Sequence, residues 1–147
     1  MFRTAMNTAL LGLTLLAAGS APVASADEDE ASSCLRTKVW DSYGDGWAVR
    51  TLTSTELTNG KTRSYLVSLY AENEYRIATC GDENVKNLDV LLYDTKGNIV
   101  QRDDTEDREP LLEFRPPATG TYYVVLYLRE PVEGADKAGA AMAVVYR

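Results

Sequence analysis

The chain has 147 residues, with 22 acidic and 15 basic side chains, two cysteines and no histidine. The absence of histidine excludes Ser-His and Cys-His nucleophilic pairs and every zinc site that needs an imidazole ligand. The net charge of −7 opposes binding to nucleic-acid phosphates and to anionic membrane surfaces, so we expect neither kind of partner.

The first 26 residues have the pattern of a secretory signal peptide. Arg3 provides a positive start, residues 9–18 are mostly apolar, and residues 24–26 form the small-residue cleavage motif Ala-Ser-Ala. The apolar stretch is shorter than the roughly 20 residues that a membrane-spanning helix needs, and we expect no membrane insertion. Cleavage after Ala26 would release a secreted or periplasmic protein.

The residues after the predicted cleavage point are acidic. Residues 27–33 read DEDEASS, with no apolar side chain larger than alanine, which predicts a disordered leader. The folded domain would then span residues 34–147. In the oxidising compartment that export implies, Cys34 and Cys80 are expected to form a structural disulfide. A reactive thiol or an intermolecular bridge is the alternative.

Residues 40–47 read WDSYGDGW and concentrate three aromatic side chains, two acids and two glycines. They resemble a D-x-Y-G-D-G-W segment found in secreted, adhesin-like β-sandwich proteins. The segment is not an EF-hand loop, because Tyr and Leu occupy its third and twelfth positions, where that loop needs oxygen ligands.

Three interpretations of this segment stay open. The first is a tight turn with positive φ at Gly44 and Gly46, while Trp40 and Trp47 pack into the end of the sandwich. The second is a calcium loop that uses two carboxylates and backbone carbonyls. The third is a platform on which an aromatic ring stacks against a sugar beside the same carboxylates. The calcium ligands would be Asp41 and Asp45, and the platform would be Tyr43 with Trp40 or Trp47.

The rest of the chain predicts an all-β domain. Short segments rich in Val, Tyr, Leu and Thr alternate with turn signals. The clearest alternation places Tyr122, Val124, Leu126 and Leu128 on one face, which we expect to be core. The predicted strands are residues 35–40, 47–54, 62–70, 74–80, 88–94, 98–102, 110–115, 120–128 and 139–146. About eight or nine antiparallel strands in one domain predict a jelly-roll-like β-sandwich.

Five segments carry a resemblance to a known family. They are residues 87–94 (NLDVLLYD), 97–100 (GNIV), 103–104 (DD), 112–114 (LEF) and 117–124 (PATGTYYV). Over about residues 62–147 the chain resembles the bacterial pre-peptidase C-terminal domain. The resemblance implies a jelly-roll-like sandwich that is not catalytic itself, usually accompanies secreted proteases and other exported enzymes, and in some members binds calcium or another ligand.

The resemblance also indicates where a cation would bind. Asp89, Asp94, Asp103 and Asp104 follow one another along a strand and the hairpin after it, and calcium takes about six to eight oxygen ligands. In the alternative interpretation, Asp89 lies on the outer face of the sandwich, Asp94 begins a turn, and residues 103–109 form a solvated charged loop.

Taken together, these features predict an exported, non-enzymatic binding or structural module. Its expected partner is an extracellular or periplasmic protein or a polysaccharide, and calcium is its candidate cofactor. Two alternatives stay open. One is a periplasmic inhibitor or regulator of another protein. The other is a small hydrolase that uses a pair of carboxylates.

Overall fold

In the computed structural model, residues 26–147 are described, and they form one helix followed by eight strands. The elements are α1 (Glu28–Tyr43), β1 (Ala48–Thr58), β2 (Thr62–Leu69), β3 (Tyr75–Gly81), β4 (Val85–Asp94), β5 (Ile99–Asp103), β6 (Leu111–Phe114), β7 (Gly120–Pro131) and β8 (Lys137–Tyr146). The predicted signal peptide, apart from Ala26, lies outside the described residues. Among residues 26–147, no helix has the length and apolar character that a membrane span requires.

The eight strands form two antiparallel four-stranded sheets. Sheet A has the order β1-β8-β3-β6, and sheet B has the order β2-β7-β4-β5. Consecutive strands thus alternate between the sheets except at β4 and β5, which form a hairpin within sheet B. Eight strands arranged in this way make a jelly-roll sandwich. The predicted fold class is confirmed.

The core lies between the two sheets and is built by alternating side chains. Tyr122, Val124, Leu126 and Leu128 of β7 are at most 8% exposed, so the predicted core face of this strand is confirmed. The neighbouring strand β4 contributes Leu88, Val90 and Leu92 to the same cluster. Complete burial of one such aliphatic side chain contributes about 1.5–3 kcal/mol, which explains why the alternation fixes the orientation of each strand.

The central strand β8 is buried on both of its faces. Its inner side chains Ala138, Ala140, Met142 and Val144 belong to the core between the sheets. Its outer side chains Ala141, Ala143 and Val145 belong to a second cluster, which includes residues of α1. Helix α1 therefore covers the outer face of sheet A.

Two sequence predictions at the start of the domain are wrong. Residues 27–33 are not a disordered leader and residues 35–40 are not a strand, because both segments lie within or directly before α1. The Asp27 side chain accepts a hydrogen bond from the backbone N–H of Glu30 at 2.9 Å and so caps the helix. The acidic residues that suggested disorder fill the first turn, where the helix dipole favours negative charge.

The packing of α1 explains why its helical pattern was weak. Ala31, Leu35 and Val39 are four residues apart and are buried against the outer face of sheet A. This narrow apolar stripe is enough to hold α1 against sheet A, because the sheet presents small side chains to the helix. The remaining positions of α1 are mostly polar, so large apolar residues do not recur at helical spacing.

The predicted disulfide is confirmed between Cys34 of α1 and Cys80 of β3. It lies within the cluster that α1 forms with sheet A. The two cysteines are 46 positions apart, and closing a loop of that length stabilises the folded state by about 4 kcal/mol on the loop-entropy model. The disulfide therefore fastens the helix to sheet A.

Candidate functional site

The outer face of sheet B carries a continuous row of apolar side chains. Leu66 of β2 lies opposite Tyr123 of β7, Tyr123 lies opposite Tyr93 of β4, and Tyr93 lies opposite Ile99 of β5. Residues directly opposite one another in a sheet share a face. These four residues, which we call the outer row, cross sheet B from one edge strand to the other.

The outer row is accessible to solvent. Leu66 is 65% exposed, Ile99 is 47% exposed and Tyr123 is 41% exposed, while Tyr93 is partly buried. Single exposed apolar residues are ordinary on a protein surface, whereas contiguous ones indicate an interaction site. The outer row is therefore the strongest candidate for a binding surface among the described residues.

A second, smaller row lies beside the outer row. Val125 of β7 is opposite Leu91 of β4, and both side chains are partly buried. The positions at the two ends of this second row are polar, with Ser64 opposite Val125 and Arg102 opposite Leu91. The apolar area thus has a polar margin.

A fixed ion pair forms a further part of that margin. A terminal guanidinium nitrogen of Arg129 lies 2.5 Å from Asp89 Oδ2, and the guanidinium lies 5.2 Å from the ring centroid of Tyr127. The hydrogen bond to Asp89 raises the pKa of Arg129. Asp89 is fully buried, and its other carboxylate oxygen has no partner among the described residues. Arg129 is therefore the group that compensates this buried charge.

Trp40 and Tyr43 form a separate exposed aromatic pair near the end of α1. They are 76% and 53% exposed, so Trp40 does not pack into the sandwich. Their ring centroids are 6.0 Å apart and their planes are inclined by 55°. Because the rings are not coplanar, one flat sugar face can stack on either ring but not on both.

Trp47 belongs to the core and not to an exposed platform. Its side chain is only 2% exposed, and the guanidinium carbons of Arg76 and Arg147 lie 4.3 Å and 4.6 Å from its ring centroid. These cation–π contacts leave no accessible ring area for a ligand. The prediction that Trp47 takes part in ligand binding is wrong.

The glycine turn after α1 is confirmed in part. Gly46 has a φ of +82°, the left-handed conformation that favours glycine, whereas Gly44 has a φ of −61°. The prediction of positive φ at both residues is therefore wrong for Gly44. Asp41 lies on the helix and Asp45 lies in the turn, and both are exposed.

Three of the four aspartates predicted near the hairpin bind groups of the protein itself. Asp94 accepts hydrogen bonds from the backbone N–H groups of Asn98 and Lys96, each at 2.9 Å. The bond from Asn98 is the main cause of a lowered pKa at Asp94. Asp103 accepts the backbone N–H of Leu111 at 3.0 Å. Asp89 is paired with Arg129, as described above.

The structure does not bring the six predicted calcium ligands together. Among residues 26–147, one group of three candidate ligand atoms lies within 4.8 Å, and it consists of Cys34, Cys80 and Glu109. Its two sulfur atoms form the disulfide, so neither is a thiolate that binds a metal. Asp104 lies 3.7 Å from Arg102. Calcium binding stays a prediction that no cluster of carboxylates in this part of the chain supports.

Sequence reasoning missed the outer row, although β7 contains a signal for it. The residues that alternate with the core face of β7 are Thr121, Tyr123, Val125 and Tyr127. Three of these four are apolar or aromatic, whereas a strand with one solvated face normally alternates with polar residues. The presence of large side chains on both faces of β7 indicates that its outer face contacts something other than solvent.

Neither a protein-family model nor a curated protein sequence matches this chain. Solved structures do. The chain is similar to the pre-peptidase C-terminal domain of a collagenase from Bacillus anthracis, with a TM-score of 0.51 and 14% identity, over 65% of this chain and 89% of that one. It is also similar to PliG, a periplasmic inhibitor of g-type lysozyme from Aeromonas hydrophila, with a TM-score of 0.49 and 14% identity, over 66% of this chain and 85% of that one.

The similarity to the collagenase domain confirms the fold that the sequence resemblance implied. At 14% identity it shows the fold alone, because a shared sandwich architecture does not fix a binding partner. The chain therefore has a β-sandwich like that of a pre-peptidase C-terminal domain.

Proposed function

We propose that this protein is an exported, non-enzymatic module that binds a protein partner through the outer face of sheet B. The observation that carries this proposal is the outer row, a line of large apolar side chains that crosses four strands. On the opposite side of the sandwich, α1 covers the corresponding face. The uncovered apolar face is the one available to another molecule.

The composition of this face favours a protein over a polysaccharide. Sugars bind to aromatic rings flanked by hydrogen-bonding groups, but the two ends of the outer row are the aliphatic residues Leu66 and Ile99. Protein interfaces combine a buried apolar centre with a polar rim and are enriched in Tyr and Arg. The outer row has two tyrosines, Arg102 lies at the end of the second row beside it, and the ion pair of Arg129 with Asp89 lies farther along the same strands.

Two observations support a role without catalysis. The groove between α1 and sheet A, which Lys38, Arg76 and Leu111 help to line, has a volume of about 180 Å³. This is below the roughly 300–1,000 Å³ that is typical of small-molecule sites. Two larger hollows, of about 310 Å³ beside Trp40 and about 340 Å³ beside Ile99, are shallow and open to solvent. In addition, the Oδ2 atom of the buried Asp89 carboxylate is occupied by its ion pair with Arg129. An inhibitor of another protein remains a special case of the proposed function.

The proposal is tested by capture of exported proteins from the culture that produces this chain. The test variant is Leu66→Ser with Tyr123→Ser, and the matched control is Trp40→Ser with Tyr43→Ser, which removes exposed apolar area on the helix side. We expect a partner that the unchanged protein and the control retain and that the test variant loses by about tenfold or more, as at interface hot spots. Equal retention by the test variant, or loss in the control alone, would contradict the proposal.

A further inference from the structure

Asp82, in the turn between β3 and β4, is a fully buried carboxylate. Its Oδ2 atom accepts the backbone N–H groups of Asp27 at 2.7 Å and of Gly139 at 2.8 Å. Its Oδ1 atom accepts the backbone N–H of Asn84 at 3.0 Å. Among the ion pairs of residues 26–147, none involves Asp82.

This arrangement is unusual for a buried charge. Carboxylates that are removed from water are normally paired with a cation as well as hydrogen-bonded, because burial of an uncompensated charge is strongly unfavourable. Asp89, which is also fully buried, has such a partner in Arg129. Within residues 26–147 of the uncleaved chain, Asp82 has donors from the backbone but no ion-pair partner.

The backbone nitrogen of Asp27 lies at the place where a cation could form an ion pair with the Asp82 carboxylate. Asp27 is the first residue after the signal-peptide cleavage point that the sequence predicts. In hydrolysis of the Ala26–Asp27 peptide bond, water adds across the C–N bond, Ala26 leaves as a carboxylate, and the Asp27 nitrogen becomes a protonated α-amino group. That group stays on the same atom, 2.7 Å from Asp82 Oδ2 in the present geometry.

We propose that cleavage between Ala26 and Asp27 creates the missing partner of Asp82, an ion pair between the new α-ammonium group and the buried carboxylate. The ion pair fixes the start of α1 to the turn after β3. Removal of the signal peptide would thus give the buried Asp82 carboxylate the ion-pair partner that it lacks in the uncleaved chain. This proposal rests on the predicted cleavage point and is independent of the proposed function.

Neighbouring contacts hold the Asp27 nitrogen at this place. A Cβ atom at position 139 would overlap the carbonyl group of Asp27, so Gly139 leaves the space in which this backbone lies against β8. The carboxylate of Glu30, one turn along α1, accepts the backbone N–H of Glu83 at 3.2 Å. The first turn of α1 is therefore attached to the 82–83 turn at two points.

The experiment uses the full precursor, exported and processed, with the N-terminus determined by mass spectrometry. One variant has a glycine inserted between Ala26 and Asp27, which moves the α-ammonium group one residue away and leaves a peptide N–H at Asp27. The second variant is Asp82→Asn, and the third combines both changes. We expect the insertion to lower the folding equilibrium constant about tenfold in the presence of Asp82, a typical coupling for groups in contact, and to have little effect in the Asp82→Asn background.

Glu83→Gln is the matched control, because it removes an exposed charge from the same turn. In that background the insertion should keep its full tenfold effect. Two results would overturn the proposal. The first is a mature protein that does not begin at Asp27. The second is an insertion whose effect on urea unfolding is the same with Asp82 and after Asp82→Asn, since the α-ammonium group would then be unpaired with this carboxylate.

Discussion

The outer faces of the two sheets are built from the same kind of alternating strand but differ in side-chain size and in cover. Sheet A presents small residues such as Ala141 and Ala143, and α1 packs on them. Sheet B presents Leu66 and Tyr123, which stay exposed in the folded chain. Small side chains allow a helix of the same chain to approach closely. Large apolar side chains without a cover indicate that the cover is another molecule.

The largest predicted effect concerns the attachment of α1 to sheet A. Replacing both cysteines, Cys34→Ser with Cys80→Ser, should lower the free energy of unfolding by about 4 kcal/mol, because the unfolded chain regains the entropy of an open loop. Urea unfolding of the oxidised parent and the double variant measures this difference. A loss below about 1 kcal/mol would mean that the disulfide does not hold helix α1 on sheet A.

The next prediction compares the same substitution on the two outer faces. Leu35→Ala removes a fully buried side chain between α1 and sheet A and should lower the free energy of unfolding by about 3 kcal/mol. Leu66→Ala, at the exposed end of the outer row, should change it by less than about 0.5 kcal/mol. Equal losses of unfolding free energy for the two variants, measured with denaturant, would contradict the description of sheet A as covered by α1 and of sheet B as uncovered.

A smaller effect is expected at the charged margin of sheet B. Arg129→Met leaves the buried Asp89 carboxylate without its cation and should lower the urea midpoint of unfolding, by less than for a fully buried pair because Arg129 is half exposed. The matched variant is Arg129→Met with Asp89→Asn, which removes the buried charge as well. Its stability in the same urea titration should recover most of the loss. If it does not, Arg129 stabilises the sheet by packing alone.

The smallest predicted effect is the pH dependence of the stability that Glu74 contributes. The hydrogen bond from Arg147 is the main cause of a lowered pKa at Glu74, with Arg115 adding to it. A carboxyl group whose pKa is lower in the folded state stabilises the fold above its ordinary pKa of 4.5, and this contribution is lost as the pH falls through the lowered value. Glu74→Gln should therefore lower the urea midpoint slightly at pH 7 and leave it unchanged near pH 2. An equal shift at both pH values would contradict an electrostatic role.

The sequence predicted the strands well because burial on one face leaves a period of two. Eight of the nine predicted strands are present, and the alternation in residues 120–128 identified the correct core face. Helix α1 was missed because its apolar stripe is narrow and its acidic first turn resembles a disordered segment. The uninterrupted apolar run of β8 was the sequence signal for this helix, because a strand that is buried on both faces must have another element packed against its outer face.

The candidate site was predicted less well, for a reason that lies in the register. Leu66, Tyr93, Tyr123 and Ile99 belong to four strands, and their sequence positions do not show that they lie side by side. The pairing of β2, β7, β4 and β5 brings them together. Conversely, residues 40–47 are adjacent in sequence, but the structure separates an exposed Trp40 from a buried Trp47. Local clustering of aromatic residues was therefore a poor guide to a common surface.

Site-specific photo-crosslinking tests the central claim most directly. Tyr123 in the outer row and Trp40 on α1 are replaced, one at a time, by p-benzoylphenylalanine in cells that export the protein. Both positions are exposed and aromatic, and Trp40 is the more accessible of the two at 76% against 41% for Tyr123, so position 40 is a stringent control. We predict a discrete protein adduct from position 123 and none from position 40. An adduct from position 40 alone, or from neither position, would contradict the assignment of the binding surface to the outer face of sheet B.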